Sequence, residues 1–333
     1  MRSFPAISLS LSLPLALLAA LPPSAEAQEV SKPRQLLIIS FDGAADNGLW
    51  ARSRALAASN HAHFTYFLSC TNLIARPDKA VYRPPGMKAG RSNIGFAPDR
   101  ADVGARLDHI WQAHLEGHDI ASHGCGHFDG KDWSKADWLQ EFSSFDAALK
   151  GAFVNNGFAD RQPDGWASFA EHGIKGFRAP YLSAPKSLAA AERAAGFAYD
   201  ASLVTRGPAL PDEEGSLARF GLPLIAEGPN QRRIIGMDYN LFVRHSAGLD
   251  NPSRSSEFEA RAFDAFKAAF EAQYNGDRIP VQFGFHFVEM NGGAYWRALE
   301  RLVTEVCNRA DVGCVSYAEA VEILAKRDKD SSF

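Results

Sequence analysis

Excess positive charge, cysteine and long apolar runs are all scarce in this 333-residue chain, and each scarcity narrows its function. Lysine and arginine number 35 against 39 aspartate and glutamate, for a formal charge of −4. No basic stripe emerges, which argues against nucleic acid as a partner and favours a neutral or weakly charged substrate. The apolar stretch 7–21 is too short and too interrupted by proline to be a membrane span, and the first cysteine, Cys70, is far too late for a lipid anchor at the leader. Phosphate-binding loops, dinucleotide fingerprints and a G-x-S-x-G elbow in the right context are missing, which removes nucleotide-dependent chemistry and the α/β-hydrolase type of serine chemistry. No internal repeat or low-complexity tract follows the leader.

The N-terminus reads as a secretory signal: Arg2, the apolar stretch, then Ala25-Glu26-Ala27 as a small-residue cleavage site. The expected organisation is a signal peptide over 1–27 and a single domain over 28–333, exported to the periplasm or the medium. Roughly 300 residues exceed the roughly 250 typical of one barrel without requiring a second domain. In an oxidising compartment the four cysteines invite pairing. Cys307 and Cys314 bracket a short polar loop, NRADVG. Cys70 and Cys125 sit at the ends of strand-like segments and can meet if those strands are neighbours; the alternatives are buried free thiols, or Cys125 as a soft metal ligand.

Apolar or β-rich runs recur at 35–42, 63–70, 118–123, 174–182, 198–204, 232–242, 279–287 and 314–317. Helical spacing fills most of the gaps, at 50–58, 101–115, 133–153, 186–195, 258–274 and 295–307. Alternating strand and helix predicts an α/β fold with a mainly parallel sheet, and seven or eight such units favour closure into a barrel. The Pro/Gly-rich segments 75–98 and 207–231 are expected to be long loops beside the strand ends. Trp133, Trp138, Phe142 and Phe145 fall at helical spacing and read as core. His118 reads as a turn residue, and His245 as a residue that could line a groove.

Four polar clusters lie at the ends of four of the apolar runs: Asp42 after QLLIISF, His123 and His127 in SHGCGH, Arg178 to Tyr181 in RAPY, and His286 in FGFHF. In a parallel α/β protein such ends converge on one face. Each cluster alone has an ordinary explanation: a helix-capping acid, a hydrogen-bonded histidine pair, a structural ion pair or a satisfied core histidine.

Taken in order, SFDG, HxxxH, RAPY and a late FxFH resemble the NodB-type polysaccharide deacetylases of carbohydrate esterase family 4, over roughly residues 35–325. The flanks GHDIASHGCGHFDG, GFRAPYL and GFAYDAS are most similar to the chitin-deacetylase-like branch. The resemblance implies a distorted (β/α) barrel of seven to eight strands and metal-assisted hydrolysis of acetyl groups on an N-acetylated glycan. Asp42 would be the base and His286 the acid. Arg178 would orient Asp42, with bidentate pairing available to a guanidinium. Pro180 and Tyr181 would line the groove, with the Tyr181 backbone N–H toward the oxyanion. His123 and His127 would hold a divalent metal, zinc by default. The family pairs its histidine with an upstream acid, for which Asp200 and Asp238 are both candidates.

One position departs from the pattern. The family has a second, metal-binding aspartate after the base, and this chain has Gly43. Three expectations follow: Asp46 completes the site with His123 and His127; Asp42 itself moves onto the metal; or metal binding is weak or absent. The alternatives to N-deacetylation are an O-acetyl esterase and a carbohydrate-binding relative without turnover.

Overall fold

The computed structural model describes Met1 and residues 32–330; the leader and its cleavage site lie outside the described residues. Residues 33–330 belong to one compact unit. Ten strands are described: β1 (Gln35–Gly43), β2 (Thr65–Leu68), β3 (Asp119–Ser122), β4 (Gly176–Phe177), β5 (Tyr199–Thr205), β6 (Asp212–Glu214), β7 (Leu217–Glu227), β8 (Arg232–Ile235), β9 (Val281–His286) and β10 (Val312–Val315). The helices are α1 (Asn47–Ser59), α2 (Arg100–Leu115), α3 (Lys135–Lys150), α4 (Ala152–Asn155), α5 (Trp166–His172), α6 (Lys186–Ala195), α7 (Asp238–Ser246), α8 (Ser255–Asn275), α9 (Met290–Val306) and α10 (Tyr317–Asp330).

The strands run in the order β10-β1-β2-β3-β4-β5-β7-β6, with β9 beside β1 and β8 beside β7. Pairing is parallel except where β6 and β8 return antiparallel onto β7. After β8 the chain turns at Gly236, and Met237 bridges to Gly284 of β9 in parallel register. The sheet thereby curls into a distorted barrel in which β1 is bordered by β2, β9 and β10, as the alternating pattern predicted. β1 is an almost unbroken apolar run because both its faces are covered. Positions 36, 38, 40 and 42 share one of those faces. Leu36 and Ile38 pack there with Phe67, Tyr199, Phe220 and Tyr317, while Leu37, Ile39 and Phe41 join the larger core on the other face.

Local chemistry sets the helix starts. Asp46 caps α1 by accepting from the Leu49 N–H at 2.8 Å, and Ser134 with Asp137 forms a capping box on α3. Trp138, Phe142 and Phe145 are core, as their spacing indicated, and Trp133 is half-buried against them.

Two expectations fail. The segment 207–231 is not a loop: its prolines obscured LARFGLPLIAE, an 11-residue strand between β5 and β8. The run 232–242 is strand only through Ile235, because Asp238 begins a helix whose Leu241, Phe242 and His245 turn inward. Both cysteine pairs are bonded, Cys70 to Cys125 and Cys307 to Cys314.

Candidate active site

Parallel pairing brings the four clusters together. Asp42 stands in register with His286 across β1 and β9 and with Phe67 across β1 and β2. Leu68 of β2 pairs with Ser122 of β3, which pairs with Phe177 of β4. His123 and Arg178, one residue beyond those strands, therefore enter the same face as Asp42. The His123 N–H donates to the Leu68 carbonyl at 2.7 Å, and the Arg178 N–H to the Ser122 carbonyl at 3.0 Å.

Arg178 is completely buried and organises the floor of the site. Its Nη1 donates to Asp42 Oδ1 and to Ser40 Oγ, both at 2.8 Å. Its Nε donates to the Ala201 carbonyl and its Nη2 to the Tyr317 hydroxyl, each at 3.0 Å. The guanidinium also lies 4.3 Å above the Phe67 ring. The expected bidentate clamp is thus replaced by a single-nitrogen contact, because the other nitrogens are spent on Ala201 and Tyr317. Burial would raise the Asp42 carboxyl, but the Arg178 charge, with His123 and His286 nearby, outweighs it and holds the group below 3.8.

His123 is buried, and its Nδ1 lies 2.7 Å from the Arg178 carbonyl oxygen. A carbonyl can only accept, so Nδ1 carries the proton. Burial pushes the pKa of this ring down to about 3, so the imidazole is neutral and Nε2 holds a free lone pair. The His127 ring sits 5.1 Å from that of His123 and 5.0 Å from that of Tyr181, and burial lowers its pKa too. Tyr181 and Leu182 are consecutive residues with positive φ, 60° and 55°. This costly backbone is the kind that persists where a site demands it. Tyr181 is exposed, whereas Pro180 is buried.

His286 has its Nδ1 2.7 Å from Asp238 Oδ1, and its backbone N–H donates to Asp238 Oδ2 at 2.8 Å. Asp238 is wholly buried, while the imidazole remains 27 % exposed. Burial works against the imidazolium, but the Asp238 carboxylate overcomes it and raises the pKa above 6.5. Of the two acids considered for this partnership, Asp238 is the one in contact. Asp200 accepts instead from the Ser202 N–H at 2.8 Å and pairs with Arg219 at 3.1 Å.

Asp46 does not join the histidines, since its carboxylate caps α1. Gly43 has φ 86°, and a Cβ built there meets nothing within 4 Å beyond its two chain neighbours, so no side chain from elsewhere in the fold fills the place of the missing carboxylate. Among the described residues no three His, Cys, Asp or Glu side chains group so as to hold a metal ion. Catalytic zinc sites take three protein ligands. His123 and His127 supply two imidazoles, Asp42 is engaged by Arg178, and Cys125 is in a disulfide. The donor set therefore does not fit the expected metal.

Ser40, Tyr317 and the Ala201 carbonyl were not foreseen. Ser40 lies in SFDG and Ala201 in GFAYDAS, but neither string says what its residue touches, and Tyr317 lies 139 residues from the arginine that it meets. His118 and His245 lie outside this cluster: His118 accepts from the Phe64 N–H, and His245 is buried against Glu227.

No protein-family model matches the sequence, and no curated protein matches it. Solved structures do. A Mycobacterium smegmatis protein assigned as a polysaccharide deacetylase superposes with TM-score 0.56 at 15% identity, covering 93% of this chain and 96% of its own. The peptidoglycan deacetylase of Bacillus subtilis gives TM-score 0.47 at 9% identity, covering 90% and 95%. The carbohydrate esterase family 4 domain of a xylanase from the Trinervitermes trinervoides hindgut metagenome gives 0.45 at 13%, covering 88% and 92%. The first of these likenesses carries the conclusion: the chain has the polysaccharide deacetylase fold.

Proposed function

We propose that the protein is an exported hydrolase that removes acetyl groups from a glycan, with Asp42 as general base and His286 as general acid. The observation that carries this reading is the register of these two residues across β1 and β9, each with a buried partner that biases it toward its task. Arg178 keeps Asp42 ionised and able to take a proton from water. Asp238 keeps His286 protonated, with Nε2 available to donate to the departing oxygen or nitrogen. The strained turn at Tyr181 would present a backbone N–H to the tetrahedral oxyanion, a contribution of roughly 2.7–4 kcal/mol in other enzymes. Pro180 and Tyr181 would line the groove. Two disulfides support export after removal of the leader.

The reading routes no step through a metal. That bears on the substrate, because an ester carbonyl is easier to attack than an amide and its oxygen leaves more readily. The two-imidazole donor set therefore favours O-acetyl over N-acetyl groups. A binding protein without turnover is the second reading, and Gly43 is what favours it. Acetate release from an O-acetylated polysaccharide and from a chitin oligomer, each with and without chelator, separates these cases. Release from the ester that survives chelation supports the proposal, whereas glycan binding with no release from either substrate favours the second reading.

A further inference from the structure

The turn that carries His123 and His127 is braced by a carboxylate that the proposed chemistry does not use. Glu141, on α3, is 2 % exposed. Its Oε1 accepts from the Cys125 N–H at 2.7 Å and the Gly126 N–H at 3.3 Å. The Tyr82 hydroxyl lies 2.9 Å from Glu141 Oε2 and 3.0 Å from Oε1, and it accepts from the Gly126 N–H at 3.1 Å. Among the described residues no cation is hydrogen-bonded to Glu141. Burial pushes its carboxyl pKa up. A carboxylate so placed is costly unless the donors that it satisfies would cost more if orphaned.

The glycines of the turn carry the same message. A Cβ on Gly124, whose φ is 68°, would lie 3.1 Å from Glu141 Oε1, and one on Gly126 would lie 2.8 Å from the Tyr82 hydroxyl. Both side chains press against the backbone. The carbonyl side of the turn is held from elsewhere. Thr71 Oγ1 donates to the Cys125 carbonyl at 3.0 Å, and Asn93 Nδ2 to the His127 carbonyl at 2.9 Å. His127 itself has φ 54°, a conformation that persists only where its surroundings over-determine it.

We propose that Glu141, with Tyr82, is a positioning residue of the active site: it fixes the backbone at 125 and 126 so that the neutral imidazoles of His123 and His127 stay beside Asp42, where they hold the water from which Asp42 takes a proton. This rests on the hydrolytic reading above for its catalytic consequence, but not for its structural one. Both backbone amides use Oε1, so the essential property is an acceptor at that point rather than a charge. A glutamine can place its carbonyl oxygen there and its amide group toward the Tyr82 hydroxyl.

The test compares Glu141→Leu and Glu141→Gln in the disulfide-bonded chain by amide hydrogen exchange and by kcat and KM on the better acetylated substrate. Leucine is expected to speed exchange across 123–127 about tenfold or more while β1 and β9 peptides stay unchanged, and to lower kcat by about tenfold or more with KM little changed. Glutamine is expected to stay within about twofold of wild type in both readouts. Unchanged exchange in the leucine variant, or glutamine behaving like leucine, overturns the proposal. Should the leucine variant fail to fold, Tyr82→Phe must still speed exchange at Gly126, and its failure to do so overturns the proposal equally. If wild type releases no acetate, the hydrolytic reading has failed, and the exchange result alone decides the role of Glu141.

Discussion

Asp42 and His286 stand side by side as register partners on neighbouring parallel strands, one held by buried Arg178 and the other by buried Asp238. Two titratable groups pushed in opposite directions, on one strand-end face, are what acid–base hydrolysis requires.

The pH profile follows from those shifts. Asp42 must be ionised, so activity rises as pH passes its lowered pKa, below 3.8. His286 must be protonated, so activity falls as pH passes its raised pKa, above 6.5. The plateau between these limbs should narrow in Asp238→Asn, whose alkaline limb moves to lower pH. A pH–rate profile with an unmoved alkaline limb would remove His286 as the acid.

Stability carries the same signs. The Asp42 contribution is present above pH 3.8 and disappears as pH drops through the lower folded value, whereas that of His286 is complete below pH 6.5 and disappears as pH rises through its higher folded value. Asp42→Asn leaves Arg178 buried without its counter-charge and should cost about 3–5 kcal/mol by urea titration at neutral pH. A loss below about 1 kcal/mol, the range of exposed pairs, contradicts the account of the Arg178 floor.

Metal content separates Asp46 from the family's pattern. Asp46→Ala should cost about 1 kcal/mol through its lost cap on α1. It should leave the metal content of the purified protein, measured by elemental analysis after zinc loading and dialysis, equal to that of wild type. One equivalent in wild type that disappears in the variant would show that Asp46 is a ligand.

The disulfides should differ in their effects on function. Cys70–Cys125 ties the His123–His127 turn to the end of β2, whereas Cys307–Cys314 closes a short loop between α9 and β10. Replacing the first pair by serine should cost about 2–4 kcal/mol and most of the activity; replacing the second should lower the melting temperature and spare kcat. Equal effects on kcat would mean that the turn does not need its tether.

The sequence disclosed the barrel and the strand-end clusters because both follow local rules: apolar runs at strand length, helical spacing between them, and polar residues where the runs stop. Asp42, His123, Arg178 and His286 were legible for that reason. What stayed hidden depends on side chains meeting across the fold. The choice of Asp238 over Asp200 was fixed by the helix Asp238–Ser246, whose first five residues had read as strand. The single-nitrogen Arg178 contact reflects competition from Tyr317 and Ala201. Asp46 had a second use, as a helix cap, that a motif comparison does not weigh.

The most direct test is acetate release at neutral pH in the presence of chelator from an O-acetylated polysaccharide, by wild type, Asp42→Asn and His286→Gln, with folding of each checked by circular dichroism. The account predicts release by wild type and a loss of about a hundredfold or more in each folded variant. Release that chelator abolishes, or that survives both substitutions, would contradict it.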